Sequence, residues 1–373
     1  MPSTLSDIYT LGNAIDNFAP GHYARVYEAL DKRDGKSYAF KIMRAEHLSH
    51  DDQPKWEANA FINEADLLIR MAALPQVMRL YDCGYVMAEN DDLRSASIES
   101  FGLNYDQFRR GMFRLPTQLW RPYLALELLP RQHNLLYLMK PNAPGMRWRL
   151  PTEEGLDLAY QFAEVLRTAH RQNIVYLDHK LEHVYWDGKA LRIIDWNSSR
   201  LIENSPQVLN QKIMDDVHHL VVGILYPIFT GQSPMKGSLR PQPADQATVE
   251  ARYSDVNQLD FSPEPTLSYA LQDLLQRGAR RHVTSIDQFI LGLNDIAVSF
   301  GWNPPPSRAV RADARKQLRE GLAKLREGHD NLKAARDLIR EAAILDDIGD
   351  DLEAELKRLL TKINEMLNAR VIP

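Results

Sequence analysis

The sequence predicts an α+β protein of two lobes followed by a helical extension. Up to residue 128, strand-like segments dominate, whereas the segments after Pro151 have mainly helical spacing. A strand-rich part followed by a helix-rich part favours two lobes over an alternating parallel sheet. Residues 302–307 include three consecutive prolines, which exclude helix and favour an extended linker. We predict a first lobe over about residues 1–128, a second lobe over about residues 129–302, a linker at 303–307 and an extension at 308–373.

The first lobe is predicted to be an antiparallel β-sheet with one key helix. Asp34-Gly35, between two strand-like segments, is a dipeptide typical of hairpin turns. The apolar residues of segment 61–74 have helical spacing. The stretch 89–116 lies between two predicted strands and is predicted to be an insertion. The predicted strands are residues 25–30, 37–42, 78–81 and 123–128.

The second lobe is predicted to be mainly helical. Its most apolar stretch, residues 220–229, is too short to span a bilayer, so we expect a buried helix and no membrane segment. His170 and the pair His218-His219 are expected to have structural roles, because no second metal ligand lies at helical spacing from the pair. The predicted helices are residues 156–171, 215–229, 267–277 and 286–300.

The composition excludes several classes of protein. The chain has 45 Lys and Arg against 50 Asp and Glu, a net charge of −5, so no nucleic-acid partner is predicted. The single cysteine, Cys83, cannot form a disulfide within the chain. A chain with one cysteine also cannot contain a cysteine-rich zinc module. The N-terminal residues lack the apolar run of a signal peptide, and we expect a cytoplasmic protein.

Two acidic residues beside a predicted hairpin are the strongest functional signal. Asp178 and Asp195 each follow apolar residues, and a short hairpin with its turn at residues 187–189 lies between them. This arrangement can place the two carboxylates side by side. Paired carboxylates beside a lysine, here Lys180, suit metal-phosphate chemistry, because the acids hold a metal and a hydroxyl while the lysine neutralises phosphate.

From about residue 9 to residue 300, the chain resembles the eukaryotic-type protein kinase superfamily. In that family the catalytic loop has the pattern His-Arg-Asp-x-Lys-x-x-Asn, and the metal motif is Asp-Phe-Gly. The resemblance implies that Asp178 is the catalytic aspartate, that Lys180 contacts phosphate and that Asp195 binds metal. It also implies a two-lobed protein-kinase-like fold, ATP as the phosphate donor and Mg²⁺ or Mn²⁺ as the metal.

The first lobe carries the matching pattern of a nucleotide site. Lys41 matches the ATP-contacting lysine of the family, and Glu64 matches the helix glutamate that pairs with it. Residues 19–26 align with Gly-x-Gly-x-x-Gly-x-Val, although only Gly21 keeps its glycine. Leu126 matches the gatekeeper. The nucleotide-contacting residues that the resemblance implies are Gly21, Val26, Ala39, Lys41, Glu64, Leu126, Glu127 and Leu129.

Four positions depart from the family pattern around the catalytic loop. His183 stands where the family has a metal-binding asparagine. Either it changes the metal preference, since imidazole suits Mn²⁺ better than Mg²⁺, or it only hydrogen-bonds within the loop. Tyr176 and Leu177 replace the histidine and arginine, and loss of the arginine implies no control by an activation-loop phosphate. Asn197 replaces the glycine of the metal motif and tolerates a left-handed backbone.

The segment between Asp195 and Asp216 is short and leaves little chain to hold a peptide. Ser205-Pro206-Gln207 is the nearest match to the family's Ala-Pro-Glu, and Arg281 could hydrogen-bond Gln207. The phosphate acceptor therefore stays open between a protein and a small molecule, with autophosphorylation or a non-catalytic role as further alternatives.

The extension is predicted to form about three amphipathic helices. Apolar residues recur every three or four positions over residues 308–370, and Gly328 and Gly349 mark breaks. The helices either pack on the second lobe or dock a protein partner through residues 308–373. The predicted function is an ATP-dependent phosphotransferase resembling a Ser/Thr protein kinase. The alternative is a pseudokinase that acts as a scaffold through these helices.

Overall fold

The computed structural model of the chain describes both lobes and two helices of the extension. Gly21 and the linker at 303–307 lie outside the described residues, as does the first part of the extension. The described residues are 3–16, 23–48, 55–88, 92–93, 96–113, 119–140, 147–233, 246–300, 332–343 and 349–368.

The strands of the described residues belong to one large sheet and two small ones. They are β1 (Ser3–Thr4), β2 (Tyr9–Ala14), β3 (Ala24–Asp31), β4 (Ser37–Met43), β5 (Leu80–Met87), β6 (Ser97–Ser100), β7 (Trp120–Glu127), β8 (Ile174–Val175), β9 (Val184–Trp186), β10 (Leu191–Ile193) and β11 (Arg200–Leu201).

The helices lie mainly in the second lobe and the extension. They are α1 (Leu5–Ile8), α2 (Trp56–Arg70), α3 (Tyr105–Met112), α4 (Leu135–Met139), α5 (Thr152–Arg171), α6 (Pro206–His219), α7 (Tyr226–Thr230), α8 (Gln246–Glu250), α9 (Tyr269–Ala279), α10 (Ile286–Ser299), α11 (Leu332–Ala343) and α12 (Asp350–Asn368). A π-helical segment, Leu220–Leu225, joins α6 to α7.

The first lobe is a seven-stranded antiparallel sheet with the strand order β1-β6-β5-β7-β4-β3-β2. The predicted hairpin is β3–β4, and Gly35 in its turn has a φ of 71°, which glycine adopts without steric cost. The register places Val26 opposite Lys41, and Ala39 opposite Leu126. Pairing across β3, β4 and β7 therefore brings these four residues to one side of the sheet, where all of them line the same cleft.

The insertion predicted at residues 89–116 is built into the lobe. It contains β6, which pairs with β5, and α3, which packs against α2. A Cβ atom at Gly84 would lie 2.0 Å from the carbonyl oxygen of Glu99, so only glycine lets β6 approach β5 this closely. The Tyr85 hydroxyl donates to the carbonyl of Phe108 at 2.7 Å and ties α3 to the sheet. The insertion thus supports α2, the helix that carries Glu64.

The second lobe is organised around α6, the π-helical segment and α7. Every residue from Leu220 to Thr230 is buried, which confirms the predicted buried helix. The helical run begins earlier than predicted, at Pro206, because the Ser205 side chain caps it by accepting from the N–H of Val208. Helices α5, α9 and α10 lie where helical spacing predicts them. Among the described helices, none combines the length and the apolar character that crossing a membrane requires.

The two described helices of the extension pack against each other and against the second lobe. Arg149 of that lobe is buried between Glu264, at 2.9 Å, and Glu355 of α12. Helix α12 follows the predicted break at Gly349, whose φ is 77°. The packing interpretation therefore accounts for α12, and a protein partner stays a prediction. The shared apolar cluster consists of Trp148, Ala335, Ile339, Ala342, Leu352, Leu356, Leu359 and Ile363.

Replacing Leu356 with alanine is expected to loosen the extension without altering the cleft. The side chain is fully buried in the shared cluster, and truncating such a leucine costs about 2–5 kcal/mol. Amide hydrogen exchange over α11 and α12 should accelerate. Lys357→Ala is the matched control, because that side chain is 71% exposed. Equal exchange rates in Leu356→Ala and the parent protein would contradict this docking.

Candidate active site

A buried carboxylate in α6 fixes the loop that carries Asp178. Asp216 is fully buried and accepts hydrogen bonds from the N–H groups of Tyr176, at 2.8 Å, and Leu177, at 2.6 Å. The ring of His170 lies 2.9 Å from the same carboxylate. Leu177 has a φ of 64°, an uncommon left-handed conformation that these bonds maintain. The loop therefore turns at a fixed point, immediately before Asp178.

The histidines expected to be structural are bound to the protein framework. His219 Nδ1 lies 2.7 Å from the carbonyl oxygen of Leu177, so it supports the catalytic loop. His218 lies 2.9 Å from the carbonyl oxygens of Ala279 and Tyr253. Burial lowers the pKa of His218 to about 4, although its bonds to the two carbonyl oxygens act in the opposite direction. These contacts agree with structural roles.

Lys41 connects the two lobes through two ion pairs. Its Nζ lies 2.7 Å from Glu64 Oε2 in α2 and 2.7 Å from Asp195 Oδ1. Burial alone would lower the pKa of Lys41, but Asp195 and Glu64 raise it above its ordinary value. The lysine is therefore charged and held in one place. The pairing of Lys41 with Glu64 that the sequence predicted is present.

Asp178, His183 and Asp195 form a compact group. One ligand atom from each of the three lies within 4.8 Å of the others. His183 Nε2 is 3.2 Å from Asp195 Oδ2, and Lys180 Nζ is 3.1 Å from Asp178 Oδ2. Burial would raise the pKa of Asp195, but Lys41 and His183 lower it below its ordinary range. The two acids are side by side, as the hairpin between β9 and β10 predicted.

The metal motif forms its turn differently from the expectation. The left-handed residue is Asp195, with a φ of 61°, rather than Asn197. Asn197 instead uses its side chain, and its amide donates to Asp195 Oδ1. Asp195 Oδ1 therefore binds Asn197 and Lys41, whereas Oδ2 faces His183.

One cleft between the lobes brings together the described residues that the sequence assigned to the site. Gly21 lies outside the described residues. The assigned residues that line the cleft are Val26, Ala39, Lys41, Glu64, Leu126, Glu127, Leu129, Asp178, Lys180, His183 and Asp195.

Several cleft residues were missed by sequence reasoning. Tyr23 is buried next to the glycine-loop position, and its ring contacts Trp56 and Phe61 of α2. Its neighbour Gly21 was the only signal that could have pointed to it. Arg252 was also missed, although it pairs with Asp178. No motif surrounds Arg252, and 74 residues separate it from Asp178 along the chain.

The predicted partnership between Arg281 and Gln207 is wrong. Arg281 Nε lies 3.3 Å from Asp215 Oδ1, while Gln207 is exposed on the first turn of α6. The reason is that α6 starts at Pro206, which places Gln207 on the solvent side of a helix. Only residues 196–205 separate Asp195 from this helix, so the shortness of the segment is as predicted.

The fold and the cleft define the class of the protein. A family model described as protein kinase domain matches residues 15–285. The chain belongs to this family, and the class comprises kinase-like phosphotransferases and pseudokinases of the same fold. A search of curated proteins gave no match.

Proposed function

We propose that the protein is an ATP-dependent phosphotransferase. One observation carries the proposal: Lys41, Asp178, Lys180 and Asp195 converge on one cleft that apolar side chains also line, among them Val26, Leu126 and Leu129. Such a cleft suits a flat adenine ring against its apolar side chains and a charged triphosphate beside its lysines. Kinase-family membership supports ATP, a divalent metal and a phosphate acceptor in general.

The residues around Asp195 fit a divalent cation. His183 Nδ1 lies 3.0 Å from the carbonyl oxygen of Asp178, to which a ring N–H donates. When the ring is neutral, the Nε2 atom of that tautomer carries a lone pair beside Asp195 Oδ2. One imidazole nitrogen with carboxylate oxygens suits Mn²⁺ as well as Mg²⁺. The hydrogen bond within the loop therefore does not exclude a metal role for His183, since Nδ1 makes that bond while Nε2 lies beside Asp195. A cation held there would neutralise charge on the phosphate oxygens.

The remaining residues have separate roles in phosphoryl transfer. Lys41, fixed by Glu64, binds the α- and β-phosphates. Asp178 orients the acceptor hydroxyl and accepts its proton as that oxygen bonds the γ-phosphorus and the bond to ADP breaks. Lys180 neutralises the transferred phosphoryl group from the side of Asp178.

The acceptor proposed is a small molecule or a residue of the chain itself. Residues 196–205 are the only chain between Asp195 and α6, and they include β11, which pairs with β8. Little backbone remains there for an extended peptide to pair with. This supports a compact acceptor over a protein substrate.

Asp195→Ala is expected to abolish metal-dependent nucleotide binding. In thermal-shift titrations, ATP with Mg²⁺ or Mn²⁺ should raise the unfolding temperature of the parent protein. Ligand at about 100 times its Kd adds about 2.7 kcal/mol of stability, and the variant should lose most of this gain. Glu203→Ala, an exposed acid outside the cleft, is the control. If ATP fails to raise the unfolding temperature of the parent protein both with Mg²⁺ and with Mn²⁺, the phosphotransferase proposal fails and the pseudokinase alternative is favoured.

A further inference from the structure

A segment from beyond α7 lies against the catalytic aspartate. We call residues 246–253, which comprise α8 and the turn after it, the return segment. Within it, Arg252 Nη2 lies 3.0 Å from Asp178 Oδ1. The side chains of Arg252 and Asp178 are only 11% and 4% exposed. This pair is therefore part of the protein interior.

The N-terminal half of the return segment is fastened to the neighbourhood of Asp195. The Gln246 side chain donates to the carbonyl of Ser198 at 2.9 Å. Glu250 is paired with Arg200 at 3.0 Å and with Lys212 at 2.6 Å. These contacts tie α8 to the short stretch that follows the metal motif and to α6.

The C-terminal half is fastened to the catalytic loop. The Tyr253 hydroxyl donates to the carbonyl of His179 at 2.7 Å, and the carbonyl of Tyr253 lies 2.9 Å from His218 Nε2. A Cβ atom at Gly223 would meet His179 and Tyr253 at 2.7 and 2.8 Å, so this close packing requires glycine. Arg252 therefore sits between two anchored points, and its position on Asp178 is determined by the fold.

The two oxygens of Asp178 are held by different cations. Lys180 lies at Oδ2, at 3.1 Å, and Arg252 lies at Oδ1. Among the described residues of the stretch 196–205, none forms an ion pair with this carboxylate. The return segment thus supplies from a distant part of the chain the acceptor-side contact that the short stretch lacks. A carboxylate bound at both oxygens has one orientation, which is what positioning an acceptor hydroxyl requires.

We propose that Arg252 is a positioning residue for phosphoryl transfer, which holds Asp178 in its productive orientation from the acceptor side. The inference rests on the proposed function, and it assigns the return segment as the acceptor-side wall of the site. Loss of Arg252 would free the Asp178 carboxylate to rotate, although Lys180 would still hold one oxygen. The nucleotide side of the cleft would be unaffected, because Arg252 does not line it.

The test compares Arg252→Ala and Arg252→Lys with Arg277→Ala. The control removes a cation of α9 that is 43% exposed, pairs with Asp273, and lies outside both the cleft and the return segment. Water serves as the probe acceptor, so release of inorganic phosphate from ATP reports the transfer rate. Arg252→Ala should lower kcat about 10- to 100-fold, with KM for ATP and the ATP-induced thermal shift within about twofold of the parent. Arg252→Lys should restore part of kcat, and the kcat of Arg277→Ala should stay within about threefold of the parent value.

A crystal structure of Arg252→Ala provides a readout independent of turnover. The Asp178 carboxylate should leave its parent orientation, while Lys41 and Asp195 keep theirs. An unchanged carboxylate, or a kcat equal to or above that of the parent, would overturn the positioning role. If Arg252→Ala does not fold, the same comparison in Arg252→Lys decides, since lysine keeps the charge but places it differently. Absence of an ATP-induced shift in the parent protein would instead refute the proposed function, so the two failures are distinguishable.

Discussion

Asp178→Asn is expected to reduce the rate of phosphoryl transfer by about 100- to 10,000-fold while ATP binding persists. Asparagine has nearly the shape of aspartate, but it cannot accept the acceptor's proton at neutral pH. Burial would raise the pKa of Asp178, but Lys180, His183 and Arg252 lower it below its ordinary value. The parent carboxylate is therefore ionised and able to act over the whole neutral range.

The measurement is single-turnover transfer of the γ-phosphate, together with an ATP titration followed by thermal shift. Asp273→Asn makes the same chemical change at a side chain that is 46% exposed, and it should leave both results unchanged. Loss of the rate without loss of the ATP-induced shift would place Asp178 in the chemical step. A variant as active as the parent protein would remove Asp178 from that role.

Asp216→Asn is expected to lower the free energy of unfolding by about 3–5 kcal/mol. The parent carboxylate is fully buried and holds the N–H groups of Tyr176 and Leu177 as well as the ring of His170. Asparagine offers one acceptor oxygen in place of two, so at least one of these partners loses its bond inside the protein. The catalytic loop should loosen along with the core.

The stability difference should depend on pH in a defined direction. Burial would raise the pKa of Asp216, but the hydrogen bonds from the His170 ring and from the backbone N–H of Leu177 lower it below its ordinary value. A carboxylate with a lowered pKa contributes its full stability above the unfolded value of about 3.9 and loses it as the pH falls through the folded value. Denaturant unfolding of the parent and Asp216→Asn proteins should therefore converge in acid. The control is Asp287→Asn, at a side chain that is 63% exposed, and a constant difference across pH would argue against this account.

The cluster of Lys41, Glu64 and Asp195 could be predicted from the sequence because its signals are local. Lys41 lies in a buried strand, Glu64 on the inner face of an amphipathic helix, and Asp195 directly after a hairpin. Strand alternation, helical spacing and turn chemistry each depend on a few neighbouring residues. The order of these elements along the chain was enough to predict the family, and the convergence of their side chains follows from the fold.

The ion pairs of Arg252 and Arg281 could not be predicted in this way. Arg252 reaches Asp178 across 74 residues of sequence, and nothing in its neighbourhood differs from an ordinary turn. By analogy with the family, the sequence suggested Gln207 as the partner of Arg281. Because α6 begins at Pro206, Gln207 is exposed, and Arg281 pairs with Asp215 instead. In both cases, the partner of a long arginine side chain depends on where the helices begin and on how they pack.

By itself, the sequence determined the two-lobed α+β class, the family and a set of charged residues that meet in one cleft. Tertiary structure alone decided that the return segment contacts Asp178, that α3 packs against α2 and that α12 docks on the second lobe. The physical reason is that residue chemistry and periodicity are properties of a short segment. Contacts between distant segments depend on the burial, close approach and charge pairing of the whole folded chain.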